Sequence, residues 1–326
     1  MLAHELWFVD SVPAKDWSFL WQSRTLLLLA AAVVLTLAVR LVAKIRDGVD
    51  IGVLGRLVPW LPFAVRMHLG VSLIGLLSGG YYLAPAMHLE NDVSGWLLGF
   101  VMAATAVVLV IGWHVRWGAA LLVLAGPIGM LEFGFEAVLQ RVDVLGLAVF
   151  LLLAGPGRWS ADYELGRARD ASLERLGQAV WALRVAVGTA LIAVAIVEKL
   201  ANPELALRFA GGDVADLNVA AALGLPIDDL EFVRIAGAIE VLFGLLLISG
   251  ALPQAIVVAA GIPFNLTLYF FGTAELLGHL PVYGAMLVLL VLGSNPETRP
   301  LCSRLLPRGS PEAALRPVGS AGTLRA

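Results

Sequence analysis

Residues 181–200 read WALRVAVGTALIAVAIVEKL, a run long and apolar enough to cross a membrane as a helix. A transmembrane helix needs roughly 20 mostly apolar residues to span about 30 Å of hydrocarbon. The whole chain has the same character: 60% of its 326 residues are hydrophobic, 14% are charged, and its mean hydropathy is +0.88. An average soluble domain is only about 45–50% apolar. The sequence therefore excludes a soluble globular protein and predicts an integral membrane protein.

Eight further runs of similar length are separated by charged residues, glycine or proline. We therefore predict an all-α polytopic fold with about nine transmembrane helices, the first of them an uncleaved N-terminal anchor. The nine predicted spans are residues 23–43, 63–84, 95–113, 117–135, 140–156, 180–200, 232–251, 254–272 and 278–293.

Lysine and arginine are distributed unevenly between the two sides of these spans. Sixteen of the 22 would lie on one side and six on the other, and loops rich in these residues stay in the cytoplasm. This predicts a multi-pass protein of the cell membrane with its N-terminus outside and its C-terminus cytoplasmic. Aromatic residues before the anchor predict an interfacial belt, and the long acidic stretch 201–231 predicts an outer cap. The belt would comprise Trp7, Phe8, Trp17, Phe19 and Trp21.

Composition also limits the chemistry. Cys302 is the single cysteine, which excludes an internal disulfide and a CxxC redox pair. The formal charge of -3 argues against a nucleic-acid partner, since there is no basic excess to neutralise phosphates. The five histidines lack the helical spacing of metal or haem ligands, and no phosphate-binding glycine motif is present. We therefore expect no intrinsic cofactor and no metal, with membrane lipid as the surroundings.

The chain contains a candidate internal duplication. Residues 66–85 align without gaps onto 184–203, and Gly99 and Gly146 then match Gly237 and Gly284 with 20 residues added to the second copy. This predicts five regions: an outer segment, anchor and inner linker (1–62), a degenerate first four-helix repeat (63–156), an inner linker (157–179), a second four-helix repeat (180–293) and a flexible cytoplasmic tail (294–326).

The second copy resembles the DoxX/DoxD-like membrane proteins. An Arg-xxx-Gly pair opens its first helix and a Lys-Leu pair closes it, and a Gly-xx-Glu-xxx-Gly core marks its second helix. The matching residues are Arg184, Gly188, Lys199, Leu200, Gly237, Glu240 and Gly244. The match covers 180–293 well and 63–156 only as a degenerate copy, where Met102 replaces Glu240, Tyr81 replaces Lys199 and Gly80 replaces Glu198.

The resemblance implies a membrane subunit or partner of a respiratory or oxidative-stress redox system. The family example is a subunit of a thiosulfate:quinone oxidoreductase, so a quinone is the implied ligand and proteins of a redox complex are the implied partners. At most, the chain would be the membrane subunit of an oxidoreductase. Two alternatives remain open: a small-molecule or ion permease, and a membrane scaffold that recruits partner proteins through its loops.

Glu240 is the strongest candidate site residue, because an acidic group in the middle of a membrane span is costly and must find a partner. It could equally be a structural group that joins helices by a hydrogen bond. Glu198, Lys199 and Arg234 are predicted to lie at the same outer level and to form a site for an anionic or quinone-like head group. Lys199 could alternatively extend to the interface.

Glu275 and His279 lie four residues apart and are predicted to form an outer pair, either a structural clamp or part of the site. Arg141 aligns with His279 in the first copy. Arg66 and Arg184 are predicted to reach the inner interface. Glu132 is a further acid in a span that could pair with Arg141 or with a polar group such as Asn265.

Overall fold

The computed structural model describes residues 4–9, 11–46, 48–210 and 217–306. Eight helices of this part of the chain are long and apolar enough to cross a membrane, which makes the molecule an all-α polytopic membrane protein. With a shorter apolar helix, α5, they are α1 (Ser23–Val42), α2 (Val58–Ser78), α3 (Val93–Ile111), α4 (Val115–Phe133), α5 (Val142–Ala154), α6 (Leu173–Leu200), α7 (Asp229–Ser249), α8 (Pro253–Gly272) and α9 (Glu275–Gly293).

Each predicted span coincides with one of these helices, but three of the helices differ clearly from the predicted spans in where they begin, where they end or how long they are. The span predicted for 63–84 ends at Ser78, where Gly79 and Gly80 begin a turn that pairs Tyr81 with His88. Helix α5 has 13 residues, too few to cross a full bilayer at about 1.5 Å per residue. Helix α6 begins at Leu173, so the inner linker predicted for 157–179 is shorter and ends in helix.

Polar caps and glycines set the helix ends. The side chains of Asp92, Ser172 and Asp228 accept backbone N–H bonds at the starts of α3, α6 and α7. Gly112 and Gly250 end α3 and α7 with φ of +76° and +71°, a conformation that glycine adopts without steric cost. These caps place the connections at the two faces of the bundle.

The nine helices pack as two groups around a shared interface. Helix α3 packs against α2 and α4, and α4 packs against α5, while α6 packs against α7 in the second group. The groups meet where α5 lies along α6 and α2 lies along α9. At the second of these contacts, Ser72 Oγ donates to the carbonyl oxygen of Leu277 at 2.8 Å. Helix α1 packs mainly on α7, and most of its surface is exposed.

Aligned residues of the two copies make equivalent contacts. Gly70 of α2 faces the carbonyl oxygen of Ala106 in α3, and its aligned partner Gly188 of α6 faces the carbonyl oxygen of Gly244 in α7. In both copies the missing side chain lets two helices approach closely. These paired contacts favour the predicted duplication.

The interface between the copies follows the same relation. Gly146 of α5 lies against Ala186 of α6, and Gly284 of α9 lies against His68 of α2. Both pairs are related by the alignment of the copies. The interface is therefore consistent with a parallel repeat that packs on itself about a pseudo-twofold axis.

The prediction of a flexible tail is wrong for its first 13 residues, 294–306. A short helix, Arg299–Ser303, is buried at Arg299, Leu301 and Cys302. This C-terminal segment packs on α6 and α9, and the buried side chain of Arg184 donates hydrogen bonds to its backbone. The remainder, residues 307–326, lies outside the described part of the chain.

The predicted outer cap contains two short helices, Pro203–Ala210 and Val219–Ala222. Phe209 of the first stacks on Phe271 and contacts Phe8. The prediction of an interfacial aromatic belt fails for Phe8 and Phe19, which pack inside the protein, whereas Trp17 and Trp21 are exposed. We call the face that carries these elements and the N-terminal segment the N-terminal face.

Candidate functional site

A turn of π-helix at the end of α6 directs two adjacent charged residues into the bundle. The six residues Ala195–Leu200 take this wider turn, and both Glu198 and Lys199 are buried. Single π turns inside α-helices occur frequently at functional sites. The facing residue of α7 is Gly237, whose missing side chain leaves room for Lys199 and Leu200. The wider turn therefore places two charged side chains inside the bundle, where the sequence predicts only the end of a helix.

Lys199 is the central cation of the site. Its Nζ lies 2.7 Å from Glu5 Oε1 and 3.1 Å from Glu240 Oε1. All three side chains are at most 2% exposed, so these ion pairs are shielded from water. Since Lys199 is enclosed, the alternative that it extends to the membrane interface is wrong.

The N-terminal segment completes this arrangement. His4 Nδ1 lies 3.1 Å from Glu198 Oε1, and the backbone N–H of Leu6 donates to Glu198 Oε2 at 3.0 Å. The His4 ring stacks on Trp7 with centroids 4.1 Å apart. Trp7 fills the space above Gly278 of α9, where any side chain would overlap its ring.

Helices α5 and α9 contribute a second group of charges beside the first. Arg141 donates to the carbonyl oxygen of Gly278 at 2.8 Å, and its Nη2 lies 3.6 Å from Asp143 Oδ2. His279 Nδ1 lies 3.3 Å from Glu275 Oε1, so the predicted pair forms. His4 joins the two groups, since its Nε2 lies 3.5 Å from Arg141.

We name the nine charged or titratable side chains of these two groups the buried charge cluster. None of them is more than 6% exposed. The cluster consists of His4, Glu5, Arg141, Asp143, Glu198, Lys199, Glu240, Glu275 and His279.

A small cavity lies within the cluster. Its volume of about 20 Å³ is room for one water molecule. Helix α6 supplies an apolar wall, and the polar wall is formed by His4, Gln140, Arg141, Asp143, Glu240 and His279. The carboxyl oxygens of Asp143 and Glu240 are buried, and their charged neighbours, Arg141 and Lys199, leave part of their hydrogen-bonding capacity unfilled. A water molecule in this cavity can supply the hydrogen bonds that the protein does not.

The cluster includes most, but not all, of the predicted site. Glu198, Lys199 and Glu240 lie together as predicted, and the predicted pair of Glu275 and His279 lies beside them. Arg234 does not join them, because it bonds to Glu231 at 2.8 Å and to Gln22 at 2.7 Å and lies over Phe19.

Arg66 and Arg184 do not reach the membrane interface as predicted. Both are fully buried and donate to backbone carbonyl groups in or just beyond the last turns of helices: Arg66 to Leu109 and Trp159, and Arg184 to Cys302 and Arg304. Two equivalent arginines thus join helix ends at the face opposite the N-terminal face.

Glu132 lies apart from the cluster. It is exposed, and the described residues offer it no ion pair with Arg141. Asn265, a second predicted partner, donates to its own helix at Gly261 instead.

Three cluster residues escape prediction. Asp143 carried a signal, since it is an acid in the first turn of an apolar helix, two residues after Arg141. His4 and Glu5 carried none, because their partners in α6 follow more than 190 residues later.

The two N-terminal groups have shifted pKa values. Burial, reinforced by the Glu198 charge and opposed by Lys199, raises the pKa of Glu5 to about 7. Burial, together with the Arg141 charge, holds the pKa of His4 well below its ordinary 6.5. At neutral pH, His4 is therefore uncharged and Glu5 is partly protonated.

Glu5→Gln is expected to change how stability depends on pH. Because the pKa of Glu5 in the folded state exceeds its ordinary 4.5, the folded protein binds this proton more tightly than the unfolded chain. Its contribution to the free energy of unfolding therefore falls as pH rises from about 4.5 to about 7. Melting temperatures in detergent should show this decline in the wild type and a flatter profile in the variant. His4 has the opposite dependence in both proteins, so parallel profiles would contradict the assignment.

Comparison of the chain with family models, with curated proteins and with solved structures finds no match.

Proposed function

We propose that the protein is a proton-exchanging membrane subunit or partner of a redox system and that it interacts with a quinone. The observation that carries this proposal is the charge balance of the buried charge cluster. Five carboxyl groups share the site with two permanent cations and two histidines. With neutral histidines and ionised carboxyl groups, the negative charges of the cluster exceed its positive charges by three. Burying such an excess is costly, so the cluster favours holding protons.

The reduction of a quinone requires a source of protons such as this cluster. Reduction of a quinone to a quinol takes two electrons and two protons, and in this proposal a partner redox protein supplies the electrons while the cluster supplies protons. The predicted resemblance to DoxX/DoxD-like proteins points to the same kind of system. The cavity is far smaller than a quinone ring, so the head group would bind only after the cluster opens.

Two alternative functions have less support. A permease would be favoured by one cavity shared by Glu240, Arg184 and Glu132. Arg184 lies at the opposite face, and Glu132 is exposed. A scaffold would be favoured by a Glu240 fully bonded to neighbouring helices, whereas this carboxyl group lines a cavity and is held by an ion pair with Lys199.

The proposal includes an orientation. The excess of lysine and arginine on the side of Arg66 and Arg184 supports a cytoplasmic location for that face of the cell membrane. The N-terminal face, the nearer one to the cluster, would then be outside. Protons would be exchanged close to that surface.

Glu240→Gln is expected to abolish the proposed activity without removing the protein. The amide has nearly the same shape but cannot release a proton, and loss of a proton-transfer group lowers rates by about 10²–10⁴-fold. The measurement is quinone-dependent and thiosulfate-dependent reductase activity in membranes of a deletion strain complemented with each variant. Immunoblots confirm equal amounts of protein.

Glu132→Gln is the matched control, since it removes an exposed acid from a membrane helix outside the cluster. It should restore activity as fully as the wild type. If the deletion leaves reductase activity unchanged, the redox proposal fails and transport becomes the leading alternative.

A further inference from the structure

A groove opens at the N-terminal face next to the buried charge cluster. It has a volume of about 390 Å³ and lies between the N-terminal segment, the short helix Phe135–Leu139 and the end of α6. Polar side chains at its rim include Lys15 and Glu136, which form an ion pair, and Asn202. The rest of the lining is apolar, so these polar side chains are the part of the open groove that can hold water.

Gln140 lines both the groove and the cavity of the cluster. It follows the helix Phe135–Leu139 and immediately precedes Arg141. Its side chain is 5% exposed, and a buried amide is costly unless protein or water satisfies its hydrogen bonds. Gln140 therefore lies where water from the groove meets the cluster.

The other side of the cavity is apolar. Val187, Ala190, Leu191 and Val194 of α6 form the wall, and the buried Leu183 follows in the direction of Arg184. An apolar barrier of this kind excludes water and protons. On the polar side, Gln140 connects the cavity to the groove at the N-terminal face.

We propose that Gln140 is the gate through which water and protons pass between the groove and Glu240. This inference rests on the proposed proton-exchanging function and adds its sidedness: the cluster exchanges protons with the solution at the N-terminal face and not with the solution at the opposite face. Gln140 acts as a positioning residue, since its amide holds water beside the titrating groups.

Cysteine labelling tests the route independently of any activity. Cys302 is the single cysteine and is buried, so a Cys302→Ser background is free of native thiols. A cysteine reacts in proportion to its exposure to water. With a membrane-impermeant thiosulfonate, Gln140→Cys should react at least about tenfold faster than Leu183→Cys, which is buried beyond the cavity.

Sidedness follows from applying the reagent to right-side-out and inverted membrane vesicles. Labelling of Gln140→Cys only from the N-terminal face is the expected result. Equal labelling from both faces, or none from either, would overturn the proposed route.

Isotope exchange tests the gate itself. Infrared spectra of the purified full chain in lipid nanodiscs follow the deuteration of the Glu240 carboxyl group, which Glu240→Gln identifies. Gln140→Leu should slow this exchange at least about tenfold, because an apolar constriction loses its water. Gln140→Asn keeps the amide and should exchange at the wild-type rate. Gln178→Leu, at the opposite end of α6, is the matched control.

The outcomes separate the two proposals. Exchange at the wild-type rate in Gln140→Leu overturns the gate and leaves the proton-exchanging function in place. A Glu240 carboxyl group that never exchanges contradicts that function, while one-sided labelling of Gln140→Cys would still support the water route.

Discussion

Lys199→Met is expected to destabilise the folded protein by about 3–5 kcal/mol, the usual cost of removing one partner from a buried ion pair. Its ammonium group lies within 3.1 Å of carboxyl oxygens of both Glu5 and Glu240. Without it, both carboxyl groups remain buried with no adjacent cation. Their protonation limits the cost but does not restore the lost interactions. The measurement is the melting temperature of the purified protein in detergent.

Two variants make the test of Lys199 specific. Lys15→Met removes an exposed partner of Glu136 and should cost at most about 1 kcal/mol. In the Lys199→Met background, adding Glu240→Gln should recover part of the lost stability, because the two residues interact directly. A melting temperature unchanged by Lys199→Met would show that the cluster does not depend on this cation.

Gly250→Ala is expected to have an effect of similar size at the opposite face. Gly250 has φ of +71°, and an added Cβ would overlap Arg184 Nη1 and lie 2.7 Å from the carbonyl oxygen of Cys302. Backbone strain costs about 1–3 kcal/mol. Displacing a buried guanidinium group adds to this, since its hydrogen bonds to the C-terminal segment are lost. The loss of stability should therefore exceed 3 kcal/mol, read from the same melting curves.

Glycines in the same conformation separate the two causes. Gly224 has φ of +76° and no atom within 4 Å of an added Cβ, so Gly224→Ala should show the strain alone. Gly112→Ala, the aligned position of the first copy, should resemble Gly250→Ala because its Cβ would lie 2.7 Å from Arg66 Nη1. Equal costs at Gly224 and Gly250 would contradict the role given to Arg184.

The fold could be predicted because lipid imposes a simple rule on the sequence. A membrane helix must be long and apolar, and each predicted span coincides with a helix. The rule failed where apolar residues face the protein instead of lipid. Tyr82 and Leu83 continue the hydrophobic pattern of α2, but both are buried in a turn after Gly79 and Gly80.

The site could be predicted only in part. Glu240, Glu198 and His279 are conspicuous in apolar surroundings, and all three belong to the cluster. Arg234 is equally conspicuous in the sequence, but its hydrogen bonds go to Glu231 and Gln22, which lie outside the cluster. Sequence patterns describe single helices, whereas membership of the cluster depends on contacts between distant helices.

The arginines illustrate the same limit. Arg66 and Arg184 look like residues that extend to the lipid interface, because that is the usual solution for an arginine near a helix end. Their actual partners are carbonyl groups of segments that follow about 45 to 120 residues later. No local sequence pattern predicts where those segments lie in the folded protein.

The position of the N-terminal segment has a consequence for biosynthesis. His4 and Glu5 are synthesised long before their partners in α6, and the contacts of Trp7 with His279 form only after α9 has been made. The first described residues therefore reach their native contacts only after α9 has been translated. Until then Glu198 and Glu240 lack part of their native surroundings. Docking of this segment is therefore a late step in the folding of a newly made molecule.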